Sequence, residues 1–246
     1  MLTLMFGDYE FPNQTFVLEG LNLENNIIEE NITRRHGSNI QYSYLKSRKL
    51  QVSGTIHNTT EDASLTELLA MQKSLLAGED KLYYRSDRYI NCYAQKIIPD
   101  IIKGGNNALL DVNINFIAQN PFAYSAGASY SFIENHTGGT NTFAATYDGN
   151  VFSEPIISVC PMGSTISSIE LWNLTNNNQS FKFTGTMGQG LTVKFDTDLY
   201  TVLNDGVDGI TYFNGEFLTI IPGINQFQVS GLSCIIEIEY KNRWYT

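Results

Sequence analysis

The sequence predicts a mostly-β protein of two modules. The first, 1–125, is an N-terminal β-sandwich with one α-helix, and the second, 126–246, is a jelly-roll β-sandwich. Three observations predict this. Apolar residues recur at every second position along most of the chain, the spacing of half-buried strands. Only 62–77 keeps helical spacing. The 246 residues exceed the usual size of one domain, and a stretch of proline and small residues interrupts the pattern near the middle.

In chain order, strands are expected at 14–19, 27–33 and 40–45, with turn formers such as Asn25-Asn26 and Gly104-Gly105 in the linkers. Leu50, Val52, Gly54 and Ile56 then alternate with Lys49, Gln51, Ser53 and Thr55. Strands follow at 81–85 and 89–98, and Leu110, Val112, Ile114 and Phe116 alternate with Asp111, Asn113 and Asn115. Between these lies the helix, with Leu65, Leu68, Leu69, Leu75 and Leu76 as its apolar stripe. Thr59 or Thr60 caps it, Asp62 and Glu67 suit the helix dipole, and Gly78 ends it.

Alternation stops at Asn120-Pro121-Phe122-Ala123-Tyr124, and small residues follow, the expected domain boundary. Only strands and turns come after it, at 129–134, 155–160, 167–174, 180–185, 190–196, 209–213, 217–221, 225–229 and 233–241. Asn214-Gly215 reads as a hairpin turn, and so does Thr184–Gly190, whose continuation alternates like a strand rather than opening a phosphate-binding helix.

Composition excludes several function classes. The net charge of −10, from 15 basic and 25 acidic residues, argues against a sequence-independent nucleic-acid binder. Residues 126–246 hold 4 Lys/Arg against 11 Asp/Glu, whereas 1–125 hold 11 against 14. No apolar run is long enough to insert in a membrane, and the N-terminus lacks the basic start of a secretory signal. Cys92, Cys160 and Cys234 are widely spaced and odd in number, read as three buried thiols of a chain made in the cytosol.

No catalytic, cofactor-binding or metal residues stand out, so the chain is expected not to be an enzyme. His36, His57 and His136 read as exposed turn residues with no nucleophile signature beside them. No two of the histidines and cysteines lie closer than 21 residues, too far apart for a zinc motif. Asp196-Thr197-Asp198 and Asn204–Gly209 are oxygen-rich but follow turn chemistry rather than a calcium loop. Glu237 and Glu239 share the wet face of one strand, and Arg48 and Arg88 read as solvated strand ends. Trp172, opposite Ile169, Leu171 and Asn173, reads as a core residue. Aromatics reach 12%, which suits large subunit interfaces.

The order of landmarks resembles the distal tail proteins of long-tailed (siphovirus) bacteriophages. The resemblance runs through Arg48–Ile56, the glycine after Leu75-Leu76-Ala77, the hairpin Leu82–Ile90 with its Asp87-Arg88-Tyr89, and the exit Phe116–Tyr124. In the second half it covers Asp148-Gly149-Asn150 before Pro155, the turn Ile221-Pro222-Gly223-Ile224-Asn225, and Tyr240-Lys241-Asn242-Arg243-Trp244. The resemblance implies a structural virion protein with a homo-hexamer ring formed by the first domain, a hub where the tail tube meets the tip or baseplate. It further implies a galectin-like second domain that projects outward and can carry receptor-binding proteins. The alternative is a lectin-like module for cell-surface glycans, which would need an exposed Trp or Tyr face.

Overall fold

The strands of the first half pair because their alternating side chains share one apolar face. The computed structural model describes residues 4–11, 16–31, 38–101 and 109–245, without the side chains of 25–44 and 101. The elements are β1 (Met5–Phe6), β2 (Tyr9–Glu10), β3 (Val17–Glu19), β4 (Asn25–Asn31), β5 (Ser38–Leu45), β6 (Arg48–His57), α1 (Glu61–Leu75), β7 (Glu79–Arg85), β8 (Arg88–Ile101), β9 (Leu109–Ala118) and β10 (Ala123–Ser125). One antiparallel sheet runs β2-β1-β7-β8-β9-β6-β3, and β4 and β5 form a separate ribbon. β6 and β9 pair from Arg48↔Ala118 to His57↔Leu109 in unbroken register. Along β9, Leu110, Val112, Ile114, Phe116 and Ala118 are buried while the residues between them stay half-exposed. Each of these side chains other than Ala118 contributes about 1.5–3 kcal/mol by leaving water.

Thr60 caps α1, its hydroxyl accepting from Ala63 N–H at 3.3 Å. The helix buries Ser64, Leu68, Met71 and Leu75. The expected stripe is therefore shifted: Leu65, Leu69 and Leu76 lie in the open, at 39%, 65% and 56% exposure. A helix packed on one sheet has only one face to bury, and Met71 with Ser64 sets its phase. Gly78, at φ +148°, stands two residues past the Leu76 cap and opens the turn into β7. At Gly54 any Cβ would overlap the Phe16 ring, which lies flush on β6.

A second unit spans Gly127–Trp244; the first comprises Met1–Ala126 with Tyr245–Thr246. The second holds β11 (Tyr130–His136), β12 (Gly139–Tyr147), β13 (Ile156–Pro161), β14 (Ile169–Asn173), β15 (Gln179–Phe183), β16 (Val193–Asp196), β17 (Thr201–Asn204), β18 (Val207–Asp208), β19 (Phe213–Gly215), β20 (Gly223–Gly231), β21 (Cys234–Tyr240) and β22 (Arg243–Trp244). Two antiparallel sheets, β11-β21-β13-β16-β17-β18 and β12-β20-β14-β15-β19, enclose one core. Phe181 and Phe195 meet at its centre, their ring centroids 4.5 Å apart. The mostly-β reading with one helix and a C-terminal sandwich is borne out.

Several local expectations need correction. Asn25-Asn26 begins β4 and is no turn. Residues 209–213 form not a strand but mainly a single 3-10 turn, Ile210–Tyr212, because Asp208 Oδ1 accepts from Ile210 N–H at 3.0 Å. Asn214-Gly215 lies inside β19 rather than at a hairpin tip; Gly215 is required because β15 approaches so closely that a Cβ would overlap the Ser180 carbonyl. Thr184–Gly190 passes from one sheet to the other, pinned by a bridge in which Met187 N–H donates to Ile166 O at 2.8 Å. β12 and β17 carry no expected strand. Gly104-Gly105, His36 and parts of the 14–19 and 27–33 strands lie outside the described residues.

One buried polar cluster fixes the turn before β20. Asn225 is fully buried; its Oδ1 accepts from Ile221 N–H (3.0 Å) and from Asn173 Nδ2 (3.1 Å). Its Nδ2 donates to Ile221 O (2.7 Å) and Gly223 O (3.2 Å). Asn225 thus satisfies the backbone that Pro222 and Gly223 turn away from the ladder. Asn173, also fully buried, gives its other hydrogen to Thr219 O at 2.8 Å.

Candidate functional site

The groups that could do chemistry are scattered. His57 is exposed at the end of β6, whereas His136 is only 1% exposed, against the expectation of an open turn. It sits in phase with Phe132 on the inner side of β11, between the Gly231 carbonyl (3.3 Å) and Asn141 Nδ2 (3.1 Å). With the amide donating to Nδ1, the neutral ring's Nε2–H faces the carbonyl, a structural arrangement. Burial pushes the Cys92 thiol up to about 12 and the Cys234 thiol up to about 11, which keeps both protonated and inert. Cys160 is half-buried rather than buried. Among the described residues no three His, Cys, Asp or Glu side chains converge as metal ligands.

The first unit gathers arginines instead. At the β7–β8 turn, Asp87 lies between Arg85 (3.2 Å) and Arg88 (3.5 Å), which face each other across the ladder. Arg48 is no solvated strand end: it is 3% exposed, because period two places it on the same face as Leu50 and Val52. Its Nη2 donates to the Tyr245 carbonyl at 2.7 Å, and its Nε and Nη1 find no acceptor among the described residues. Desolvation lowers its pKa, with buried Tyr84 opposing that shift. A cleft of about 660 Å³ lies beside it, between 20–24 and 45–49, where Lys46 pairs with Glu24 at 3.6 Å.

Several large apolar side chains are exposed. On α1 they are Leu65, Leu69 and Leu76; in the second unit Leu199, Tyr200, Val207 and Tyr212 are each at least half-exposed. Leu65 and Leu69 stand one turn apart on α1, the spacing that sets two side chains side by side on a helix. Trp172 is half-buried on the outer face of its sheet, not in the core, because the buried face of β14 is taken by Ile169, Leu171 and the hydrogen-bonded Asn173. Its cross-strand neighbours are Ser180 and Gln228. In the same unit Arg243, 5% exposed, bonds Glu154 at 2.6 Å, with Asp198 3.7 Å away.

The described residues thus make two β units with several exposed apolar side chains. Residues 148–244 match the family described as the siphovirus-type tail component, C-terminal domain. The whole chain has the fold of the Dit protein (gp 19.1) of phage SPP1, described as a paradigm of the hub adsorption apparatus in phages infecting Gram-positive bacteria. The TM-score is 0.75 at 14% identity, covering 97% of this chain and 98% of that one. Chains of the phage P2 baseplate in its activated conformation are similar too. With calcium the TM-score is 0.52 at 9% identity over 98% of each chain; with strontium it is 0.50 at 9% identity over 97% of this chain and 98% of that one. No curated protein matches. The match over residues 148–244 and the shared fold bear out the resemblance to the distal tail proteins.

Proposed function

We propose that this chain is a structural hub of a long-tailed phage, placed at the distal end of the tail tube where the tube meets the tip or baseplate. The observation that carries the reading is the Dit fold followed over nearly the whole chain, with the tail-component domain in its second unit. Six copies close a ring through the first unit, and the second, galectin-like unit projects outward to hold host-adsorption proteins. The chain makes no catalytic contribution. It is made in the host cytoplasm and ends in the virion, where tail-tube, tip and receptor-binding proteins are its partners.

Charge is in keeping with a part that DNA passes: six copies of a chain carrying −10 give −60, most of it on the second units, and such an assembly does not hold DNA by its phosphates. The lectin alternative is set aside because the likeness takes in both units, whereas a sugar-binding module accounts for only one. Light scattering over a hundred-fold concentration range, with imaging of the largest species, tests the proposal. A species of six times 27.6 kDa with a central hole is expected. A monomer that binds glycans and never enters tails would overturn it.

A further inference from the structure

The four sheet edges of the second unit are not equivalent. β18 has two residues and β19 three, too short to template another strand. β11 is longer but carries Glu134 on the same side as inward-facing Phe132, a charge that discourages a new strand. β12 has none of these guards. Its nine residues, Gly-Thr-Asn-Thr-Phe-Ala-Ala-Thr-Tyr, include no charge and no proline, and they pair with β20 from Gly139↔Gly231 to Tyr147↔Gly223 without a bulge. Among the described residues β20 is the sole strand paired with it.

From this we infer that β12 is a docking edge that takes an extended segment of another polypeptide as an added strand. Main-chain hydrogen bonds supply the affinity in this mode, and alternate side chains supply the selectivity. Phe143, half-buried, stacks on Phe132 of β11 with centroids 5.3 Å apart and planes 5° from parallel. That pair forms an apolar seat for alternate residues of the guest, while Thr140, Thr142, Ala144 and Thr146 line the wet face. The guest is a basic segment with alternating apolar residues. Residues 126–246 carry 4 cations against 11 acids, so a second copy of this unit is repelled and a basic segment is attracted.

The inference rests on the hub reading, since it takes the guest to be a neighbouring tail protein. Hydrogen–deuterium exchange separates the two. Amides of 139–147 are compared in the purified chain and in tails isolated from the producing phage, and a slowing of about tenfold or more is expected in the tails. Tails built with Thr142→Lys lose that slowing while the first unit exchanges as in wild type. If the chain is present in tails and 139–147 exchange as in the free protein, the docking edge is refuted and the hub stands. Equal slowing in the concentrated chain alone refutes the heterologous guest and names a second copy. Absence of the chain from tails refutes both readings.

Discussion

Replacing Asn225 by alanine removes four hydrogen bonds, two made by its oxygen and two by its nitrogen. The carbonyls of Ile221 and Gly223 flank the exposed Pro222 and recover water. The Ile221 amide and one Asn173 amide hydrogen lie deeper, and each then stands without an acceptor. A stranded buried donor costs roughly 1–3 kcal/mol, so two of them give about 3 kcal/mol. For a unit of this size 1 kcal/mol corresponds to about 4 °C, which lowers its melting transition by about 12 °C. Differential scanning calorimetry reads this directly, with Ile224→Ala as the control. Ile224 is next in sequence but 63% exposed, so its truncation costs no more than about 0.5 kcal/mol. A fall of under about 3 °C for Asn225→Ala, or equal falls for both variants, would refute the reasoning.

Other predictions follow from the same kind of accounting. Arg243→Ala strands Glu154 beside a buried site and lowers the second unit's stability by about 3 kcal/mol in urea titration, and Glu154→Gln in the same chain recovers part of it. Leu69→Lys on the open face of α1 leaves the unfolding free energy from urea titration within about 0.5 kcal/mol of wild type, whereas Leu68→Ala costs about 2–5 kcal/mol. Stability falls as pH rises above 9: below it Cys92 and Cys234 are protonated folded and unfolded alike, and above it only the unfolded thiols release protons until pH reaches the folded values of about 12 and 11. The slope approaches about 1.4 kcal/mol per pH unit for each thiol, and Cys92→Ala removes one thiol's share in alkaline melts.

The sheet cores were legible because alternation and burial coincide in β6, β9 and β21, where every second residue is apolar and faces inward. β12 was not, because only Phe143, Ala145 and Tyr147 turn toward the core and its first half is Thr, Asn and Gly in the open. An unpaired edge has no apolar phase to betray it. Trp172 was misplaced because Asn173 occupies a core position through its hydrogen bonds, which a hydrophobic pattern scores as outside. Arg48 and His136 had a signal that residue type masked: each is in phase with buried neighbours, Leu50 for one and Phe132 for the other. The assembly surfaces left little trace, since an exposed leucine on α1 and a buried one differ by a single residue in register.

The hydrogen bond from Arg48 to Tyr245 links residues 197 apart, and Tyr245 belongs to the first unit although the second is made before it. During synthesis the first unit is therefore missing a component until the second has left the ribosome. A chain that stops anywhere before Tyr245 keeps the Arg48 guanidinium inside without the carbonyl it grips, and such a charge is costly to hold dry. Synthesis through Tyr245 is thereby written into the stability of the unit made first, and products interrupted before it start at a disadvantage in any assembly that draws on that unit.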